Sequence, residues 1–132
     1  MTHATKRFLL VDDDPNYNFI NKVLLKRSFN EVHIDDFTVP EEGLEFIKSE
    51  TSPNSPNGKT ILLLDINMPI ISGWEFLKAF ELFDASIKDQ YNIYILSSSI
   101  DPSDMNRANS NPRVIDFLEK PLNKEILLKI FG

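Results

Sequence analysis

Short strand-like segments alternate with amphipathic stretches along the whole chain, and this alternation limits the possible folds more than any other feature. Residues 7–11 (RFLLV) have the pattern of a strand covered on both faces, 61–64 (ILLL) form the most apolar strand candidate, and 93–96 (IYIL) and 114–118 (VIDFL) read as two further strands. Residues 32–37 (VHIDDF) alternate apolar with polar and suit an edge strand. Between them lie helical signals. Asp14 and Pro15 form an N-cap followed by proline at the first helical position, and Phe19, Ile20, Val23 and Leu24 recur at helical spacing to about Ser28. Pro40 opens a second helix, with Glu41 and Glu42 in its favourable first turn and Leu44 and Ile47 facing inward. Trp74, Phe76, Leu77, Phe80 and Phe83 mark a third helix. Residues 103–108 form a short fourth, capped by Ser103 or Asp101, and Asn123 caps a fifth that carries Ile126, Leu127 and Ile130. Five strands alternating with five helices predict an α/β fold, a doubly wound parallel sheet with right-handed crossovers. At 132 residues the chain fits one domain spanning 1–132. Residues 50–59 (ETSPNSPNGK) read as a surface loop, since neither side is long enough to fold alone.

Composition removes several function classes. Fourteen Lys and Arg against twenty Asp and Glu give a net charge of −6, which argues against nucleic acid as a direct ligand. The absence of cysteine excludes disulfides, thiolate metal sites and a cysteine nucleophile. The longest apolar runs have four residues, whereas a membrane-spanning helix needs about 20. The opening MTHATKR also lacks the apolar stretch of a secretory signal, so a cytoplasmic protein without membrane contact is expected.

In doubly wound sheets, ligands bind beyond the carboxyl ends of the strands. Asp12, Asp13 and Asp14 follow the first strand, and Asp65 follows the third, ahead of Ile66-Asn67-Met68-Pro69. Ser97, Ser98 and Ser99 follow the fourth, and Glu119, Lys120 and Pro121 the fifth. Each group alone reads as turn or cap chemistry; at one edge they form a reactive set. Two carboxylates about 5 Å apart at an effective dielectric near 20 repel by roughly 3 kcal/mol. A pocket holding Asp12, Asp13 and Asp65 must therefore raise a pKa, recruit a cation, or both. Lys120 offsets one charge, and Mg²⁺, which prefers oxygen ligands, suits the remainder. Zinc is excluded by the donor set, because His3 lies near the terminus and His33 in an edge strand, both expected to face solvent.

VDDD at 11–14, LLLDINMP at 62–69 with SG at 72–73, ILSSS at 95–99 and DFLEKP at 116–121 together resemble the signature set of response-regulator receiver domains, the aspartate-phosphorylated modules of two-component signalling. The resemblance implies a flavodoxin-like sheet of order 2-1-3-4-5. It makes Asp65 the phosphoacceptor, taking a phosphoryl group as an acyl phosphate from a sensor histidine kinase or a histidine phosphotransfer protein. It implies a Mg²⁺ site formed by Asp13 directly, Asp12 mainly through water, Asp65, and the backbone carbonyl of Asn67. Mg²⁺ and Lys120 would neutralise the transferring group, and Ser97 would donate a hydrogen bond to it. The Lys120–Pro121 peptide is expected to be cis. Ser97 and Phe117 match the family's switch pair, although Phe117 reads equally well as a core residue of the fifth strand. Asn67 and Ser99 stand where hydrolysis of the acyl phosphate is tuned. On this resemblance the protein is not an enzyme acting on a separate substrate, but a phosphoacceptor that catalyses its own phosphorylation and dephosphorylation.

Some positions depart from the family pattern. Asp14 extends the acidic pair and reads as a helix cap; Ser98 replaces a smaller residue and narrows access to Asp65; the 50–59 loop is long; and the fourth helix is short. Nothing follows the fifth helix, so a stand-alone receiver is expected, with output through an unidentified protein partner on the face of helix four, strand five and helix five, or by onward relay. Two alternatives remain at this point. One is a phosphate-independent pseudo-receiver that serves as a binding module. The other is a haloacid-dehalogenase-type phosphatase, for which Asp12-x-Asp14, the later ILSS and a distal lysine speak, but which leaves Asp65 without a role and lacks the late acidic pair.

Overall fold

The most apolar strands occupy the middle of the sheet, where both faces are covered. A computed structural model describes residues 6–49 and 59–132. In chain order it contains β1 (Lys6–Val11), α1 (Pro15–Ser28), β2 (Val32–Phe37), α2 (Pro40–Ser49), β3 (Thr60–Asp65), α3 (Gly73–Glu81), α4 (Ala85–Lys88), β4 (Tyr91–Ser97), α5 (Pro102–Ser110), β5 (Val114–Glu119) and α6 (Lys124–Phe131). All pairings are parallel, and the order is β2-β1-β3-β4-β5, as the resemblance implied. Strand order reverses between β1 and β3, which makes their carboxyl ends the switch point.

Strand periodicity of two divides the interior into two layers. Leu9, Val11, Leu62, Leu64, Ile93 and Ile95 face α2, α3 and α5, where Ile47, Phe76, Phe80 and Ala108 are buried against them. Phe8, Leu10, Leu63 and Leu96 face the other way, onto Leu25 of α1 and Leu127 and Phe131 of α6. Aromatic edge-to-face contacts join the second layer: Phe131 packs its ring at 5.4 Å from Phe8 and 4.9 Å from Tyr94.

The helix starts follow capping chemistry. Asp14 accepts from the amide of Asn16 ahead of Pro15, and Asn123 caps α6 by accepting from Ile126. Ser72 and Glu75 form a reciprocal capping box on α3. Of the two candidates for α5, Asp101 is the cap, accepting from the Ser103 amide.

The structure differs from the sequence expectations in three places. A sixth helix, α4, is a single turn whose ASIK sequence carries no apolar periodicity. In α1 the buried positions are Asn18, Asn21 and Leu25, whereas Phe19 and Ile20 are 65% and 53% exposed. Asn18 explains this rotation, because its side-chain amide donates to the carbonyls of Asp12 (3.0 Å) and Phe37 (3.4 Å), tying α1 to the ends of β1 and β2. In β5 the register steps from Ile93↔Val114 to Tyr94↔Asp116, leaving Ile115 as an exposed bulge residue. His33 faces solvent as expected and pairs with Asp35 at 2.9 Å. His3 and the loop expected at 50–59, apart from Lys59, lie outside the described residues. Among the described residues no helix is long and apolar enough to cross a membrane.

Candidate functional site

The acids identified from sequence meet at the switch point. Asp12 is the first residue beyond β1 and Asp65 the last of β3; each is 3% exposed, while Asp13 is half-buried. One carboxylate oxygen from each of the three lies within 4.8 Å of the others. The backbone holds them in place. Asp12 Oδ1 accepts from the amide of Asp14 at 2.9 Å, and Asp65 Oδ1 from the amide of Asn67 at 3.1 Å. Lys120 arrives from beyond β5, its own amide donating to Ser97 O at 2.7 Å, and its peptide bond to Pro121 is cis. Its ammonium lies 2.6 Å from Asp12 Oδ2 and 3.4 Å from Asp65 Oδ1.

The charges are unbalanced. Burial pushes the Asp65 carboxyl above its usual value and the Asp12 charge adds to this; the Asn67 amide and Lys120 pull it back only in part. Burial alone would lower the Lys120 ammonium, but its hydrogen bond to Asp12 and the charges of Asp12 and Asp65 more than reverse this and raise it. One firmly charged lysine therefore faces three acids. Hard oxygen donors converging with excess negative charge suit a divalent cation such as Mg²⁺, and the residues present fit it.

Ser97 is fully buried beside this cluster. Its hydroxyl donates to Ser99 O at 2.7 Å and accepts from the Ser99 amide (3.2 Å) and from Asn67 Nδ2 (3.3 Å). Its proton is thus committed to Ser99 in this state. Phe117 is half-buried and packs against the layer shared with α2, α3 and α5. Ser98 and Ser99 are exposed, and Asp14 serves as the α1 cap.

Gly73 lets α3 press against the site backbone. A Cβ there would stand 2.7 Å from Ile66 Cα and 2.8 Å from Asp65 O, both backbone atoms, and 2.9 Å from Ile66 Cγ2. Gly73→Ala is expected to destabilise the domain by about 2 kcal/mol, the scale of overpacking in a dense interior. Urea unfolding checks this, and an unchanged midpoint contradicts it.

Residues 8–131 match the family model described as the response regulator receiver domain. The chain belongs to that family. The receiver superposes on a two-component response regulator from Cytophaga hutchinsonii with a TM-score of 0.82 at 29% identity, over 96% of this chain and 94% of that one. A response regulator receiver protein from Dyadobacter fermentans gives a TM-score of 0.78 at 27% identity, covering 95% and 97%. A chemotaxis protein of Vibrio cholerae gives 0.73 at 25% identity, covering 96% and 95%. No curated protein sequence matches the chain significantly. The motifs that carried the resemblance are therefore those of a receiver used in two-component signalling.

The sequence marks neither Tyr17 nor Asn18 as part of this receiver's site. Asn18 braces the Asp12 carbonyl, and the Tyr17 ring centroid lies 4.2 Å from the Lys120 ammonium. The available signal is positional: both sit in the first turn of α1, directly after the acidic run.

Proposed function

We propose that this receiver accepts a phosphoryl group onto Asp65 from the phosphohistidine of a sensor histidine kinase or histidine phosphotransfer protein, in a Mg²⁺-dependent reaction. The observation that carries the reading is the buried Asp65 carboxylate at the switch point, held with Asp12 and Asp13 within 4.8 Å and with Lys120 at 3.4 Å. An Asp65 oxygen attacks phosphorus, the donor N–P bond breaks, and the leaving imidazole keeps that electron pair and takes up a proton. Asp12, Asp13 and Asp65, with the backbone carbonyl of Asn67, would hold Mg²⁺, which when bound supplies charge neutralisation for the phosphoryl oxygens. Lys120 neutralises a further oxygen. Once Asp65 is an acyl phosphate its carboxylate charge is gone, and Lys120 faces Asp12 and the phosphoryl oxygens instead.

Ser97 then exchanges Ser99 O for a phosphoryl oxygen, and Phe117 follows into the space released. Only a group that favours the second arrangement shifts this equilibrium. The protein works in the cytoplasm, catalyses its own phosphorylation and hydrolysis and no reaction on a separate substrate, and signals to a separate protein partner. The exposed Ile115 on the β5 edge lends that partner an apolar contact.

Acetyl phosphate with Mg²⁺ tests the reading by intact mass. One base-labile phosphate adduct is expected on the native protein and none on Asp65→Asn. An adduct that survives Asp65→Asn but disappears in Asp12→Asn would instead support the phosphatase chemistry. No adduct at any Mg²⁺ concentration would support a phosphate-independent binding module.

A further inference from the structure

Lys120 is held by more than its two acids. Its ammonium sits 2.6 Å from Asp12 and 3.4 Å from Asp65, and 4.2 Å from the centroid of the Tyr17 ring. The ring therefore lies within cation–π range, while the lysine side chain is only 6% exposed. Tyr17 is the third residue of α1, and its place is fixed from below. Asp14 caps the helix, Pro15 sets the first turn, and the neighbouring Asn18 grips the Asp12 and Phe37 carbonyls. An aromatic face carries no formal charge, so it attracts the ammonium without adding a fourth anion to a cluster that already holds three.

We propose that Tyr17 is a positioning residue for phosphoryl transfer, whose ring face seats the Lys120 ammonium over the acidic cluster. This rests on the reading of Asp65 as phosphoacceptor. A carboxylate in the same place would raise the negative charge that an incoming phosphoryl group meets. An aliphatic side chain would leave the ammonium free to turn toward solvent. The ring holds the lysine while its partners change from carboxylate oxygens to phosphoryl oxygens.

The test compares Tyr17→Leu, which removes the π face, with Tyr17→Phe, which keeps it. At saturating Mg²⁺ with acetyl phosphate as donor, Tyr17→Leu is expected to slow adduct formation about thirtyfold, matching a desolvated cation–π contact. Tyr17→Phe is expected to restore most of that loss. In a Lys120→Met background Tyr17→Leu should add little, because its partner is gone. An equal loss in both backgrounds would mean a purely structural role and overturn the proposal. A second readout is independent of phosphorylation. The ring should shift the Lys120 ε-methylene proton resonances upfield in the native protein and in Tyr17→Phe, and Tyr17→Leu should abolish the shift. Identical resonances in all three overturn the seat itself, whereas a native protein that shows the shift but takes no phosphate loses only the reading of Asp65.

Discussion

Replacing Lys120 with methionine is expected to destabilise the metal-free receiver by about 3 kcal/mol, because truncating one partner of a buried ion pair strands the other charge. Asp12 and Lys120 are each under a tenth exposed and 2.6 Å apart, and Asp65 shares the same ammonium. Methionine keeps the length and apolar stem of lysine, so the loss isolates the charge. Mg²⁺ should recover much of it by serving the same carboxylates; at ten times its dissociation constant a bound ion adds about 1.4 kcal/mol. Urea unfolding in EDTA and in Mg²⁺ measures both numbers. Equal stability of the variant and native protein in EDTA would mean that the lysine does not neutralise the cluster.

Asp65→Asn should have the opposite effect on stability while removing function completely. The asparagine oxygen can still accept from the Asn67 amide, so the loop keeps its 3.1 Å contact. What disappears is a buried negative charge crowded by Asp12. A gain of about 1 kcal/mol in EDTA is expected, because burial of the charge and its repulsion by Asp12 together outweigh the pull of the Asn67 amide and Lys120. The pH dependence has a defined sign. Burial and Asp12 raise the Asp65 carboxyl above 3.8, so between that value and its folded one the native state binds more protons than the unfolded chain. The contribution of Asp65 to stability therefore falls as pH rises from about 4 through the raised value. Thermal unfolding in EDTA should show the Asp65→Asn advantage growing over that interval and then levelling. The variant should form no phosphate adduct, and its midpoint should respond less to Mg²⁺ than that of the native protein. A pH-independent difference would contradict the assigned electrostatics.

Most of the fold can be read from the chain because its strands differ sharply from their surroundings. ILLL and IYIL leave no polar face, so β3 and β4 belong in the middle, and VHIDDF keeps one, so β2 is an edge. The acids, Ser97 and Lys120 were legible for the same reason, since each directly ends or follows a strand and the parallel order sends all those ends to one side. What escaped depends on contacts distant in sequence. The α1 pattern suggests an apolar stripe through Phe19 and Ile20, yet two asparagines are buried there, and the Asn18 side-chain amide finds acceptors only in carbonyls at the ends of two different strands. The bulge at Ile115 follows from how β5 meets β4, which the VIDFL run does not encode. Helix α4 is one turn long and too short to show a period. The Tyr17–Lys120 contact joins residues from opposite ends of the chain, and no local pattern announces it.

The most direct measurement of the central claim is chemical mapping of the adduct. The native receiver is treated with acetyl phosphate and Mg²⁺, reduced with borohydride, which converts an aspartyl phosphate to homoserine, and its peptides are sequenced by mass. Homoserine at position 65 alone is the predicted result. Homoserine at Asp12 or Asp13 in place of Asp65, or at none of the three under conditions where the intact mass shows phosphate, would contradict it.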